Sequence, residues 1–269
     1  MRRATRIVIV AIAALGSGCG ASAASGASSQ TPSSASQAGP QYTVQFRAAA
    51  GASWRLHLLL DNDIAGQHMR VESDSVQRVV SIDAAGLREV ETRCETMQLR
   101  APVEQPSECP PPEIAHLDGS ARPHDPGETE RVAGSTSNGR PVFLAYPPRP
   151  VAVGDTWHDI ARWRQPGSTD LFSVDATYTL VSVTPRADDL DAVVRMTGAL
   201  TMTDERDVPP ADRGGAEGRV TGEFVLEVSD GFMREMTFDM DFVVRVPASE
   251  GGGSAPVRVH TVAESERLP

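Results

Sequence analysis

Lysine is absent from this chain of 269 residues: all 25 basic residues are arginine, against 36 acidic residues. The formal net charge of −11 argues against nucleic acid as a partner, since nucleic acid binds clustered positive charge. Only three cysteines are present, and they form no CxxC pair or His/Cys cluster of the kind that binds zinc. The composition therefore indicates an acidic protein. Its length is sufficient for one domain with a hydrophobic core.

Motifs of the common enzyme classes are missing as well. The sequence contains no GxSxG, HExxH, Walker or GxGxxG pattern. The histidines are scattered with no shared spacing, and lone histidines are more often structural than ligands: His57, His116, His124, His158 and His260. We therefore predict no catalytic residue, no metal site and no cofactor.

The N-terminal apolar run, Ile7–Leu15, is shorter than the roughly 20 residues with which a helix crosses a bilayer. Three arginines precede it and small residues follow it, an order typical of a removed secretory signal. The signal ends at Cys19 and resembles that of bacterial lipoproteins, in which diacylglycerol modifies the thiol and an acyl chain such as palmitate the freed amine. The resemblance implies a signal peptide over residues 1–18 and lipidation of Cys19. Losing the three arginines would bring the net charge to −14 (−11 minus 3).

Residues 19–41 are almost entirely Ala, Ser, Gly, Gln, Thr and Pro after the cysteine. Such a segment cannot bury apolar surface, and we predict a disordered tether of about 21 residues that spans roughly 25 Å. The lipoprotein resemblance implies a bacterial cell envelope, with the domain in the periplasm or on the surface. Gly20 is not an acidic retention residue, which favours the outer over the inner membrane.

Cys94 and Cys109 are the cysteines that remain. In an oxidising periplasm a leftover pair is more often bridged than free, so we predict a disulfide between them. Closing a loop of about 15 residues stabilises a fold by roughly 3 kcal/mol.

From Tyr42 onward, apolar residues recur with a period of two, as in half-buried strands. The pattern predicts strands at 42–46, 54–60, 69–71, 76–82, 87–94, 142–145, 172–183, 192–203, 220–228, 232–246 and 257–262. Residues 101–141 interrupt it with Pro, Gly and charged residues, and we predict a long loop there with a helical turn near Glu113–Leu117. The fold class is therefore all-β, with residues 42–269 as a single domain of antiparallel strands in a curved sheet, half-barrel or sandwich.

An Asp230-Gly231 turn separates two strongly alternating runs and predicts a hairpin, as does the turn through Pro185–Asp189. After the Asp-Gly turn one predicted face carries Phe232, Arg234, Met236, Phe238, Met240 and Phe242, and the other Met233, Glu235, Asp239 and Asp241. The candidate ligand-lining residues are Trp157, Trp163, Phe232, Met236, Phe238 and Met240. For the two tryptophans, packing in the core is the alternative with more weight.

The segment Pro141–Trp157 carries the order apolar-Pro-Pro-x-Pro-Val-x-Val-Gly-Asp-x-Trp. This order resembles a segment of uncharacterised bacterial lipoproteins, the DUF6263-like set, over residues 41–262. The resemblance implies an extracytoplasmic all-β domain with no known activity. A curved sheet on a lipid tether is also similar to lipoprotein carriers of acyl chains, in architecture only.

Two acidic patterns were weighed as sites. The run Asp61–Gly66 with Glu72 has calcium-loop spacing, but Ala65 removes a ligand and the flanks alternate as strands, so a polar hairpin turn is favoured. Asp239 and Asp241 share a face, as two catalytic carboxylates could, but such acids usually form the solvated side of a hairpin.

These observations favour a lipid-anchored binding or structural lipoprotein whose ligand is an acyl chain or another envelope component. The first alternative is a hydrolase-like envelope enzyme, its dispersed site formed by the 101–141 loop against Trp157. The second is a fully packed scaffold that acts through protein partners. An enclosed apolar cavity would favour the ligand carrier, and converging titratable groups in a polar cleft would favour the enzyme.

Overall fold

The computed structural model describes residues 39–101, 108–120, 144–164, 170–187, 189–204, 213–245 and 256–268. The predicted signal peptide, Cys19 and most of the predicted tether lie outside these ranges. No helix with the length and apolarity needed to cross a membrane occurs in the described ranges.

Across the described ranges the chain is all-β, as predicted, and forms one antiparallel sheet of ten strands. The strands are β1 Ser53–Ile64, β2 Gln67–Ile82, β3 Arg88–Arg100, β4 Glu113–Leu117, β5 Thr156–Arg164, β6 Asp170–Arg186, β7 Asp189–Asp204, β8 Gly215–Glu227, β9 Met233–Arg245 and β10 Val257–Leu268. Their order across the sheet is β4-β3-β2-β1-β10-β9-β8-β7-β6-β5.

Two meanders make up this sheet, β1 to β4 and β5 to β10. They join where β1 pairs with β10, with Leu60 opposite Ala263, so the first and last strands lie in the middle of the sheet. One face carries buried apolar side chains from nearly every strand, and we call it the inner face. Its main cluster includes Leu117 of one edge strand and Trp157 of the other, so the sheet curls around a single core.

Several predicted boundaries are wrong. The predicted strands at 69–71 and 76–82 are one long strand, β2, whose pairing with β3 shifts register twice. The predicted helical turn at Glu113–Leu117 is the edge strand β4, since Leu117 enters the core and the segment pairs with β3. The predicted 101–141 loop therefore contains a strand, and residues 102–107 and 121–143 of it lie outside the described ranges.

The faces predicted for β9 are correct from Glu235 onward and wrong at Met233. Met233, predicted on the polar face, is 1% exposed and belongs to the core. The pairing of β8 with β9 shifts between Val225 and Leu226, which leaves Arg234 without a partner position. Such a bulge reverses the alternation, and a period-two pattern cannot reveal it.

The predicted disulfide is present between Cys94 of β3 and Cys109, with their Cα atoms 5.5 Å apart. It ties the segment that leads into β4 to the neighbouring strand. Because β4 is a five-residue edge strand, this link supplements a short ladder of hydrogen bonds.

We expect the double substitution C94A/C109A to lower the free energy of unfolding by roughly 3 kcal/mol, since it frees a loop of about 15 residues in the unfolded chain. Urea denaturation of both proteins, with and without reductant, measures this loss. Reductant should destabilise the wild type to the level of the variant and leave the variant unchanged. Equal stability of the two oxidised proteins would contradict the prediction.

Candidate functional site

Five of the six predicted lining residues have described side chains, and all five are buried. Trp157, Phe232, Met236, Phe238 and Met240 belong to the main apolar cluster and are at most 8% exposed. Trp163 lies in β5, and its side chain is outside the description. The structure thus brings the predicted residues together on the inner face, where other parts of the same chain cover them.

The first covering segment is residues 42–48, which we call the strap. Its residues 42–46 were predicted as a strand, but the strap pairs with none of the ten strands. Tyr42 instead forms an isolated bridge with Val151, which precedes β5, and the two residues exchange backbone hydrogen bonds of 2.8 and 3.0 Å. Farther along, Phe46 N donates to Gly119 O and Arg47 N donates to Asp230 O. An extended segment is therefore held by backbone contacts to three separate parts of the fold.

Every second side chain of the strap points into the core: Val44, Phe46 and Ala48 are at most 1% exposed. The Phe46 ring lies edge-on to Trp54, with their centroids 6.3 Å apart, and the Arg88 guanidinium sits 5.6 Å from the Phe46 centroid. Arg88 Nε also donates to Ala48 O at 2.9 Å. Val44, Phe46 and Ala48 thus pack side by side in the main apolar cluster. We call the part of the inner face that the strap covers the groove.

The turn between β8 and β9 forms a wall of this groove. A Cβ on Gly231 would lie 1.9 Å from Gln45 O of the strap, and Gly231 itself has a φ of +70°. Tyr146 donates its hydroxyl hydrogen bond to Gly231 O from the opposite side. Only glycine combines this close backbone approach with this conformation.

Residues 144–152 are the second covering segment. They contribute Leu144, Ala145, Tyr146 and Val151 to the core, and Trp157 Nε1 donates to Ala145 O at 2.9 Å. The Trp157 ring stacks on Tyr178 at 5.6 Å. Trp157 therefore anchors this segment to the sheet, in agreement with the core-packing alternative.

Charged side chains lie beside Phe46 of the strap and beside Phe232 of the turn between β8 and β9. Burial raises the pKa of the Glu227 carboxyl, although Arg267 Nη1 donates to it at 2.9 Å. Burial, and then the charge of Arg47, lowers the pKa of the Arg88 guanidinium. The Arg267 guanidinium lies 5.3 Å from the Phe232 centroid, under the turn that supports the strap.

The acidic residues considered as sites lie on the outer face. Asp61–Ile64 ends β1, and Ala65-Gly66 is the tight turn into β2, so the run is the predicted hairpin turn and Asp63 Oδ1 accepts from Gly66 N. Asp239 is 3.5 Å from His260 and exposed. An open depression of about 280 Å³ lies nearby, lined by Asp63, Ala65, Gly66, Asp241, Arg258 and His260. Among the described residues no group of three His, Cys, Asp or Glu side chains is placed to hold a metal ion.

A second polar row crosses β1, β2 and β3 on the outer face. His57 Nδ1 and Asp74 Oδ1 are 2.8 Å apart, and Thr96 donates to Asp74 Oδ2 at 3.0 Å. The hydrogen bond from His57 lowers the pKa of the Asp74 carboxyl below its usual range. No signal in the sequence joined these residues, because the pairing of three strands places them together.

Because the pKa of Asp74 is depressed in the folded chain, its stabilising effect is present above about pH 4 and lost as the pH falls through the folded value. We expect D74N to be less stable than the wild type at pH 7, with a difference that narrows progressively as the pH falls below about 4. Urea titrations at several pH values measure the difference, with E266Q, an exposed acid opposite His57, as control. A gap between wild type and D74N that stays constant with pH would refute this assignment.

The chain matches no model of a known protein family, no curated protein and no solved structure. The resemblance of Pro141–Trp157 to the DUF6263-like lipoproteins therefore stays a prediction. The functional argument rests on the geometry of the groove and its strap.

Proposed function

We propose that this chain is a lipid-anchored lipoprotein of the bacterial envelope whose β domain is a binding or structural module that acts through protein partners. The observation that carries the proposal is the cover over the inner face, where the strap and residues 144–152 pack on the apolar side chains. A face covered in this way offers an acyl chain less room than an open half-barrel would.

The anchor is supported by the signal-like order that ends at Cys19 and by the composition of the tether that follows. The strap begins where the predicted tether ends, so the proposed lipid anchor is connected to the core by the tether and then the strap. Such an arrangement suits a module that has to be held near a membrane and engage another envelope component.

An acyl chain is the second candidate ligand. Four buried methionines of the main apolar cluster favour it, since methionine adapts its shape to irregular apolar partners: Met196, Met233, Met236 and Met240. The enzyme alternative placed its site at Trp157, which is buried and hydrogen-bonded to Ala145. We retain the acyl chain as the competing hypothesis because a departing strap would expose the apolar groove that it fills.

The full chain and its C19A variant, expressed in a bacterial host, test the anchor. We expect labelled palmitate to be incorporated into the wild type alone, and the wild type alone to be found with the membrane fraction. Equal labelling or equal fractionation of the two proteins would contradict the lipoprotein assignment.

Native mass spectrometry of the C19A protein, with lipid extraction, tests the ligand class. We expect the mass of the processed polypeptide without an adduct. A near-stoichiometric acyl mass would instead support a lipid carrier, and substitutions at Phe232 and Met236 would then locate the chain.

A further inference from the structure

The groove beneath the strap has the properties of a peptide site. It accepts an extended backbone through hydrogen bonds at Val151, Gly119 and Asp230, and it buries alternate side chains of its occupant. Backbone bonds that give affinity, with pockets for every second side chain that give specificity, characterise the recognition of extended peptides by β proteins.

We propose that this groove docks an extended segment of a partner protein, and that the strap occupies it in the unbound chain as a built-in competitor. The inference rests on the proposed function, a binding module in the envelope. The occupant visible in the groove defines the chemistry of the partner: an apolar β-branched residue, an aromatic residue two positions later, then an arginine and a small residue, as in Val44, Phe46, Arg47 and Ala48.

The arginine in this pattern has its own receptor. Arg47 Nη2 donates to Val228 O at 2.9 Å, and the backbone N–H of Arg47 donates to Asp230 O. The turn between β8 and β9 therefore binds both the main chain and the side chain of this arginine. Asp189 holds the same turn, since Ser229 Oγ donates to Asp189 Oδ2 at 2.6 Å. The receptor is therefore fixed by contacts that do not involve the strap.

Release of the strap would also change the reach of the domain. Seven residues extend over at most about 25 Å, and the strap lies between the predicted tether and β1. The strap pairs with none of the ten strands, since its bridge of Tyr42 with Val151 lies outside them, so it can leave the groove without breaking a strand pairing. Exchange of the strap for a partner segment would thus lengthen the tether while the groove stays filled.

Fluorescence anisotropy with a labelled peptide of residues 41–50 tests the proposal on the C19A full chain. We expect an F46A protein, whose strap is weakened, to bind the peptide at least tenfold more tightly than a protein with the intact strap. M69A is the matched control, because it removes a buried side chain from a separate apolar cluster and leaves the strap unchanged. A peptide that itself carries F46A should bind at least tenfold more weakly.

Equal affinity of the F46A and M69A proteins for the peptide would overturn the proposal, and so would equal affinity of the two peptides. Should F46A not fold, judged by its circular dichroism, V44A makes the same test with a smaller deletion. Binding of palmitate by F46A without binding of the peptide would overturn it in favour of an acyl ligand. A concentration-dependent dimer with exchanged straps would overturn it in favour of a second copy as the occupant. Failure of the palmitate labelling at Cys19 would remove the envelope role and leave the peptide result standing.

Discussion

Replacement of Gly231 with alanine is expected to displace the strap and to lower the free energy of unfolding by about 3 kcal/mol or more. The φ of +70° alone costs a Cβ-bearing residue roughly 1–2 kcal/mol. The new Cβ would also stand 1.9 Å from Gln45 O, a backbone atom that moves only if the strap moves. The two costs combine at Gly231, where the turn lies against the backbone of the strap.

The matched control is G86A. Gly86 has a φ of +84° in the turn before β3, and a Cβ there would meet no atom within 4 Å. It therefore carries the conformational cost without the collision. Urea denaturation gives the stabilities, and limited trypsin digestion reports cleavage after Arg47 in the strap. Equal stabilities and equal rates of cleavage after Arg47 in the two variants would show that Gly231 does not support the strap.

The G218A variant is expected to lose about 3 kcal/mol or more for a different reason. A Cβ on Gly218 of β8 would lie 2.3 Å from Asp241 O and from Phe242 Cβ of the paired strand β9. Glycine within a strand marks a position where another backbone approaches closely. The collision involves backbone, so its relief requires β8 and β9 to move apart at this point.

G215A on the same strand is its control, since a Cβ at Gly215 would lie 3.4 Å from Met202 O, an ordinary contact. We expect G215A to change the stability by less than about 1 kcal/mol. Thermal and urea unfolding of both variants measures the contrast. A G218A protein as stable as G215A would mean that the fold does not require the close approach of β9 to Gly218.

The sequence predicted the fold class because each long strand keeps a period of two over its own length. The alternation in Trp54–Leu60 and the Asp230-Gly231 turn are local signals, and both are confirmed. β4 was missed because Glu113–Leu117 is short and follows a proline-rich run, and only its pairing with β3 makes it a strand. The register at Arg234 was missed because a bulge leaves no mark in composition.

The groove could be predicted only in part. The sequence identified Phe232 and Met236 as a shared apolar face, but it could not show that Phe46, almost 200 residues away, packs in the same core. The alternation in Tyr42–Phe46 predicted a strand, since an extended strap and a paired strand have the same period. The relevant signal was the position of this alternation directly after a tether without large apolar residues.

The most direct test of a removable strap is amide hydrogen exchange in the C19A full chain. The Phe46 and Arg47 amides donate to Gly119 O and Asp230 O, so they exchange only when the strap opens. The account predicts that these amides exchange at least tenfold faster than the Met196 amide in the centre of β7, because the strap can leave while the sheet stays paired. Exchange of all three amides at one common rate would show that the strap opens only when the whole domain unfolds, and would contradict the account.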